Sequence, residues 1–162
     1  MRALGGGDDR GFTEVLGFIL SFALSAVFLM IAMSSFYTAR SNTDSVLAAS
    51  ELKSIADRVA SRIVEAGLVG QEFPNATINL TVVIPQDING HPYQVVAKAT
   101  GVWVNATDAP YSGMATVFKV DAVSGVAVSG TTYSSLQHLI VTYSLQNPTA
   151  ATPTRDIHIH GD

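Results

Sequence analysis

Between residues 15 and 39 the chain reads VLGFILSFALSAVFLMIAMSSFYTA, without one formal charge. A helix of about 25 residues rising 1.5 Å each is roughly 37 Å long, enough to cross a hydrocarbon core of about 30 Å. A helix of a soluble core keeps a polar face, and this run has none, so the spacing predicts a membrane span. The same run explains the composition: 48% of the 162 residues are hydrophobic and 14% are charged, against about 25% charged in ordinary domains. The remaining length allows one modest further domain.

A cleaved secretory signal fits the run poorly, because its apolar region spans about 7 to 15 residues behind a positive leader. Here Arg2 and Arg10 are balanced by Asp8 and Asp9. That reading takes its form from the small pair Ala32 and Ser34, where cleavage would remove residues 1–34 and leave a soluble secreted domain. Cysteine is absent, which excludes disulfide staples, thiolate zinc sites and a Cys nucleophile. Nine Lys and Arg against 13 Asp and Glu, net −4, form no basic footprint for nucleic acid.

The residues ahead of the run are Asp8-Asp9-Arg10-Gly11-Phe12-Thr13-Glu14-Val15-Leu16-Gly17-Phe18. A short charged leader ending in Arg-Gly, then Phe-Thr, an acid and a long apolar helix, resembles the class III signal of type IV prepilins. The form RGFTEVLGFIL is similar to archaeal pilin-like proteins. The resemblance implies a leader at residues 1–11, cleavage between Gly11 and Phe12 by a membrane-embedded prepilin peptidase, and a retained helix over 12–39 that is transmembrane first and filament core later. Many bacterial pilins place the acid at the fifth mature position, whereas Glu14 would be the third.

Glu14 also has a physical reading of its own. A carboxylate inside the apolar edge of a membrane helix costs a few kcal/mol unless paired. The α-amino group that cleavage would free on Phe12, in the same or a neighbouring subunit, supplies a partner. The positive end of the helix macrodipole favours an acid there as well. The alternative is a solvated Glu14 at headgroup depth in an uncleaved signal anchor. Gly17, Ser21 and Ser25 recur every four residues, which places a small-residue stripe on one helix face and permits close helix approach.

Beyond Arg40 the pattern becomes amphipathic. Leu52, Ile55, Ala56, Val59, Ile63 and Ala66 recur at helical spacing, with Glu51, Lys53, Asp57, Arg58, Arg62 and Glu65 on the other faces. The spacing predicts a helical extension over 40–68 with stops at Gly67 and Gly70. Its apolar stripe needs a partner, either the chain's own head or a coiled coil.

From residue 69 onward the chain reads as a β-rich head. Strands are expected at 78–84, 93–97, 102–104, 115–120, 126–128, 139–145 and 156–160, with turns at Asn89-Gly90, Ser124-Gly125, Ser129-Gly130 and Asn147-Pro148. Short strands with turn residues between them predict an antiparallel sheet, sandwich or small barrel. The run IPQDINGHPYQV also resembles the first head hairpin of archaeal secreted pilin-like proteins. Three sequons begin at Asn75, Asn79 and Asn105, candidate glycan acceptors if the head lies outside the cell.

Chemistry-bearing patterns are sparse. The head lacks paired carboxylates at useful spacing, a nucleophile elbow and a phosphate-cradling loop. His158-Ile-His160-Gly-Asp162 is the strongest metal-like string, but a terminal strand with Ile inward and His outward gives the same letters. His91 reads as a loop residue and His138 as a strand-edge residue, while Trp103, Tyr133 and Tyr143 read as core or subunit contacts. No catalytic residue, metal ligand or cofactor is therefore expected.

The expectation is an α+β chain, a long N-terminal membrane and assembly helix followed by an antiparallel β-rich head, in the lollipop form of pilins. Its expected role is a non-enzymatic structural subunit of an archaeal type IV pilus-like surface filament, self-assembling and serving adhesion. The alternative is a membrane-anchored module whose extracellular head binds cell wall, S-layer or carbohydrate.

Overall fold

The computed structural model describes residues 8–73, 75–112, 115–118, 126–146 and 154–162, with the side chains of residues 8–10 and Phe118 left aside. Helix α1 runs from Asp8–Glu72. Among the described residues seven strands follow: β1 (Ile78–Val83), β2 (Tyr93–Lys98), β3 (Gly101–Ala106), β4 (Ala115–Phe118), β5 (Val126–Tyr133), β6 (His138–Gln146) and β7 (Thr154–Gly161). The chain divides between Asp44 and Ser45 into two units. Among the described residues, the first unit is the N-terminal part of α1 alone.

In the second unit the later part of α1 buries one stripe. Ala48, Leu52, Ile55, Ala56, Val59, Ala60, Ile63 and Ala66 are all buried, at the three- and four-residue steps that keep side chains on one helix face. The six apolar positions expected from the pattern are among them. The partner of the stripe is the head's own sheet, since helix and strand residues form one hydrophobic cluster.

The strands form one sheet in the order β1-β6-β7-β5-β2-β3-β4. Every neighbouring pair is antiparallel except β5 with β7, which is parallel. Alternation decides the faces. Val82, Tyr93, Val95, Val102, Val104, Val128, Leu139, Val141, Tyr143, Ile157 and Ile159 are buried, while Asn79, Lys98, Ser129, His158 and His160 are exposed on the opposite face.

Several expectations change. Gly67 and Gly70 do not stop the helix, which continues to Glu72. A Cβ at Gly70 would overlap the Tyr143 ring, so the glycine serves close packing inside the helix rather than termination. Ser129 and Gly130 form no turn but lie inside β5. The expected strand over 126–128 is the first part of that longer element.

Asn89 and Gly90 do make a tight turn, with φ of 51° and 80°. Ile88 and His91 close it with reciprocal backbone hydrogen bonds of 2.9 and 3.0 Å. Pairing goes no further: β1 joins β6, and β2 lies between β5 and β3. Thus the turn is local, and the two strands it links are separated by three others in the sheet. The expected turns at Ser124-Gly125 and Asn147-Pro148, and residues 119–120 of the expected strand, lie outside the described residues.

Two buried tyrosines make opposite demands. The Tyr93 hydroxyl donates to the Pro85 carbonyl at 2.6 Å. Burial pushes its phenol above the ordinary value; Arg58 opposes that shift, and Asp87 adds to it. The Tyr143 hydroxyl is buried without a hydrogen-bond partner among the described residues. A buried unpaired hydroxyl costs about 1–3 kcal/mol, and a made hydrogen bond contributes about 1 kcal/mol. Chemical denaturation should therefore show Tyr93→Phe less stable by about 1 kcal/mol and Tyr143→Phe more stable by a similar amount. A loss at Tyr143→Phe equal to that at Tyr93→Phe would mean that Tyr143 has a partner.

Candidate functional site

The surface that departs furthest from a soluble protein is the first part of α1. It contains a stretch long and apolar enough to cross a membrane. From Gly11 to Thr43 every side chain is exposed except the half-buried Ala26. Phe12, Phe18 and Met30 are 70%, 73% and 70% exposed. Isolated exposed apolar residues are common, but a continuous apolar surface of this kind marks a membrane or protein contact.

Within it, Gly11 and Phe12 lie inside the first turns of α1, because the helix already begins at Asp8. Glu14 is exposed, in the second turn of a helix that begins at Asp8, so the unpaired amides of residues 8–11 lie ahead of it and cleavage after Gly11 would be needed to bring it into a first turn. Gly17, Ser21 and Ser25 share a helix face, and a Cβ at Gly17 would meet nothing within 4 Å. Ser25 Oγ donates to the Ser21 carbonyl at 2.8 Å, and Thr38 Oγ1 repeats the pattern on Ser34 at 3.0 Å. These hydroxyls are satisfied within the helix, so they enter lipid or a helix contact without an unpaired polar group. What Ser25 offers a neighbour is chiefly small size.

The three sequons take separate places on the head. Asn75 is exposed just after α1. Asn79 is exposed on β1, which among the described strands is an outer one paired with β6 alone. Asn105 is half-buried on β3, between Gln94 of β2 and Ala115 of β4, and Thr107 of its sequon donates Oγ1 to Pro92 O at 3.0 Å. By alternation Asn79 and Asn105 lie on the face turned away from the helix.

His158 and His160 also point outward, with their rings stacked at a centroid separation of 6.0 Å. The Nδ1 of His158 lies 3.3 Å from Ser129 Oγ. Among the described residues no group of three or more His, Cys, Asp or Glu has metal-binding geometry. His91 packs edge-on against Tyr111, with ring centroids 5.2 Å apart. Its Nδ1 lies 4.0 Å from Asp108 Oδ2. Trp103 is half-buried beneath the Lys98 ammonium, 5.2 Å from the ring centroid. Tyr143 is buried in the core and Tyr133 is 55% exposed.

One feature was not foreseen from the sequence. Glu51, Ser54, Ile55 and Arg58 of α1 face Pro85, Asp87 and Asn89 of the β1–β2 connection across a cleft of about 420 Å³. Arg58 donates Nη1 to Val83 O at 3.3 Å. The Asp87 carboxylate accepts from Gly90 N at 3.0 Å. The available signal was the polar stripe at 51, 54 and 58, which lies on one helix flank.

A family model described as a family of unknown function, DUF7266, matches residues 7–150. No curated protein and no solved structure matches the chain.

Proposed function

The chain belongs to the DUF7266 family, of unknown function, and from its own residues we propose that it is a structural subunit of an archaeal type IV pilus-like surface filament. The observation that carries this reading is an exposed, charge-free helical run directly preceded, within the same helix, by Arg10-Gly11-Phe12-Thr13-Glu14. A prepilin peptidase cuts after Gly11. The subunit then resides in the cell membrane through residues 12–39, with its head outside, until it joins identical or related subunits.

The mechanism is physical. Lipid tails and apolar side chains are comparable surroundings, so moving the helix from bilayer to filament core exposes no apolar surface to water. The small stripe at Gly17, Ser21 and Ser25 permits close approach, and Glu14 pairs with a freed Phe12 amine to set register. Glycans at Asn75, Asn79 or Asn105 would coat a head whose strands are rich in uncharged Ser, Thr and Val. The filament serves adhesion or surface attachment.

Amino-terminal sequencing of the protein from its native membrane tests the first step. Phe12 is the expected first residue, and a start at Met1 would remove the prepilin reading. Glu14→Ala should leave membrane insertion intact while lowering the filament yield by at least about tenfold, the equivalent of about 1.4 kcal/mol. Electron microscopy of sheared filaments reads that yield, and an unchanged count removes the pairing role.

The cleft bounded by Arg58 and Asp87 favours a second reading. In it the same anchor holds a non-filamentous binding module, whose cleft offers both donors and acceptors to cell wall, S-layer or carbohydrate. Phe12 as the first residue, without filaments containing this chain, would select that reading.

A further inference from the structure

Between the end of the charge-free run at Ala39 and the first buried residue of the stripe, Ala48, α1 passes through Arg40-Ser41-Asn42-Thr43-Asp44-Ser45-Val46-Leu47. No side chain in this segment is buried, and Val46 and Leu47 are 68% and 52% exposed. The five residues 41–45 all belong to the types that disfavour helix interiors, because their short polar side chains compete for backbone hydrogen bonds. Thr43 does so here, donating Oγ1 to the Ala39 carbonyl at 3.0 Å, a bond that weakens and bends helices. The Arg40–Asp44 ion pair spans 4.0 Å between exposed side chains and adds little. The boundary between the two units falls inside the same run. Asp44 and Ser45 are half-buried and the other six residues are exposed, so helical order at 40–47 depends more on propagation from the flanking turns than on packing.

We propose that residues 40–47 are a proteolytic release site. An endoprotease requires several consecutive residues in extended form, so it cuts a helix through its locally opened population. Between the apolar run and the packed stripe, this segment is the part of α1 where opening uncovers no buried side chain. Its sequence suits a protease that accepts small polar residues followed by aliphatic ones. Water adds across the Ser45–Val46 peptide bond, or the next one. For the first, the C–N bond breaks, Ser45 keeps the new carboxylate and Val46 the new ammonium group. Among the described residues every buried hydrophobic one, from Ala48 to Ile159, leaves with the released fragment. The apolar helix stays behind. The proposal is independent of filament assembly, since a surface module would be shed in the same way.

The test uses the full chain in phosphatidylcholine nanodiscs and thermolysin, which cuts before aliphatic residues. Intact mass should show the earliest fragment beginning at Val46 or Leu47, released into solution. Replacing Ser41, Asn42, Thr43 and Ser45 together by Ala leaves Val46 and Leu47 unaltered. Each replacement favours the helix by about 2.5-fold, so the cut should slow by about 40-fold. Hydrogen exchange gives a readout without protease: amides 41–46 should exchange at least about tenfold faster than those of 52–66, where packing protects them. A first cut that leaves 40–47 intact, an unchanged rate in the alanine variant, or equal protection along α1 would overturn the proposal.

Discussion

Gly130→Ala is expected to lower the stability of the head by about 3 kcal/mol or more, through two costs that add. The first is local: Gly130 has φ of 126°, a region that side chains with a Cβ avoid and that costs about 1–3 kcal/mol to impose. The second is steric. A Cβ at this position would overlap the Ile159 backbone carbonyl and amide, on the strand that pairs with β5 in parallel. Backbone atoms of a central strand cannot rotate away as a flexible side chain can. Relief requires β5 and β7 to separate, or Gly130 to change φ and lose its pairing with Ala97.

Against a typical domain stability of about 5–15 kcal/mol, such a loss is large. Urea denaturation followed by the Trp103 signal should show a midpoint shifted well below the parent's. Ser129→Ala, one residue earlier, removes only an exposed contact with His158 and should change stability by less than about 0.5 kcal/mol. Equal midpoints for Gly130→Ala and Ser129→Ala would refute the account of the β5–β7 junction.

The same glycine marks a limit of sequence reading. Ser129-Gly130 has the letters of a turn, and nothing nearby reveals that the Ile159 backbone, 29 residues later, occupies the space a side chain would need. Gly70 misleads for the same reason, because its neighbour is the Tyr143 ring. Periodic features were legible: the stripe from Leu52 to Ala66, and the alternation of Ile157 and Ile159 with His158 and His160, follow from one face being buried. Strand order was not. The Asn89-Gly90 turn announces a hairpin, yet β1 pairs with β6 and β7 inserts between β6 and β5. Those choices are made by side-chain packing over distant segments, which leaves no local period.

The candidate sites divide along the same line. Solvation by lipid is a property of each residue, so the apolar helix is written directly in composition. The cleft around Arg58 joins a helix flank to a loop about 30 residues away, and its two halves carry no mark of each other. Glu14 lies between these cases: its type and place are legible, but a partner from another subunit is not.

A chain beginning at Ser45 should leave the membrane entirely and keep its folded head. The full chain presents, among others, Phe12, Leu16, Phe18, Leu20, Phe22, Phe28, Met30 and Phe36 as exposed side chains of one helix. Burial of each large apolar side chain contributes about 1.5–3 kcal/mol, so lipid or neighbouring helices stabilise this segment by a sum in the tens of kcal/mol. Among the described residues the head exposes far fewer large hydrophobic side chains: Leu68, Val69, Phe73, Val83, Val117, Tyr133 and Leu136. Removing residues 1–44 therefore converts a protein that resists alkaline extraction from membranes into one found in the supernatant. The core should be indifferent to the change, because its first buried residue is Ala48 and the unit boundary precedes Ser45. What the truncation removes from the second unit's helix is propagation from preceding turns, which matters at the frayed end and little where Leu52, Val59 and Ile63 are packed. Denaturation midpoints of the soluble fragment and of the full chain in detergent should agree within about 1 kcal/mol of stability. A fragment that is soluble but lacks a cooperative transition would show that the head depends on the first 44 residues; one that still pellets with membranes would place a second anchoring surface on the sheet.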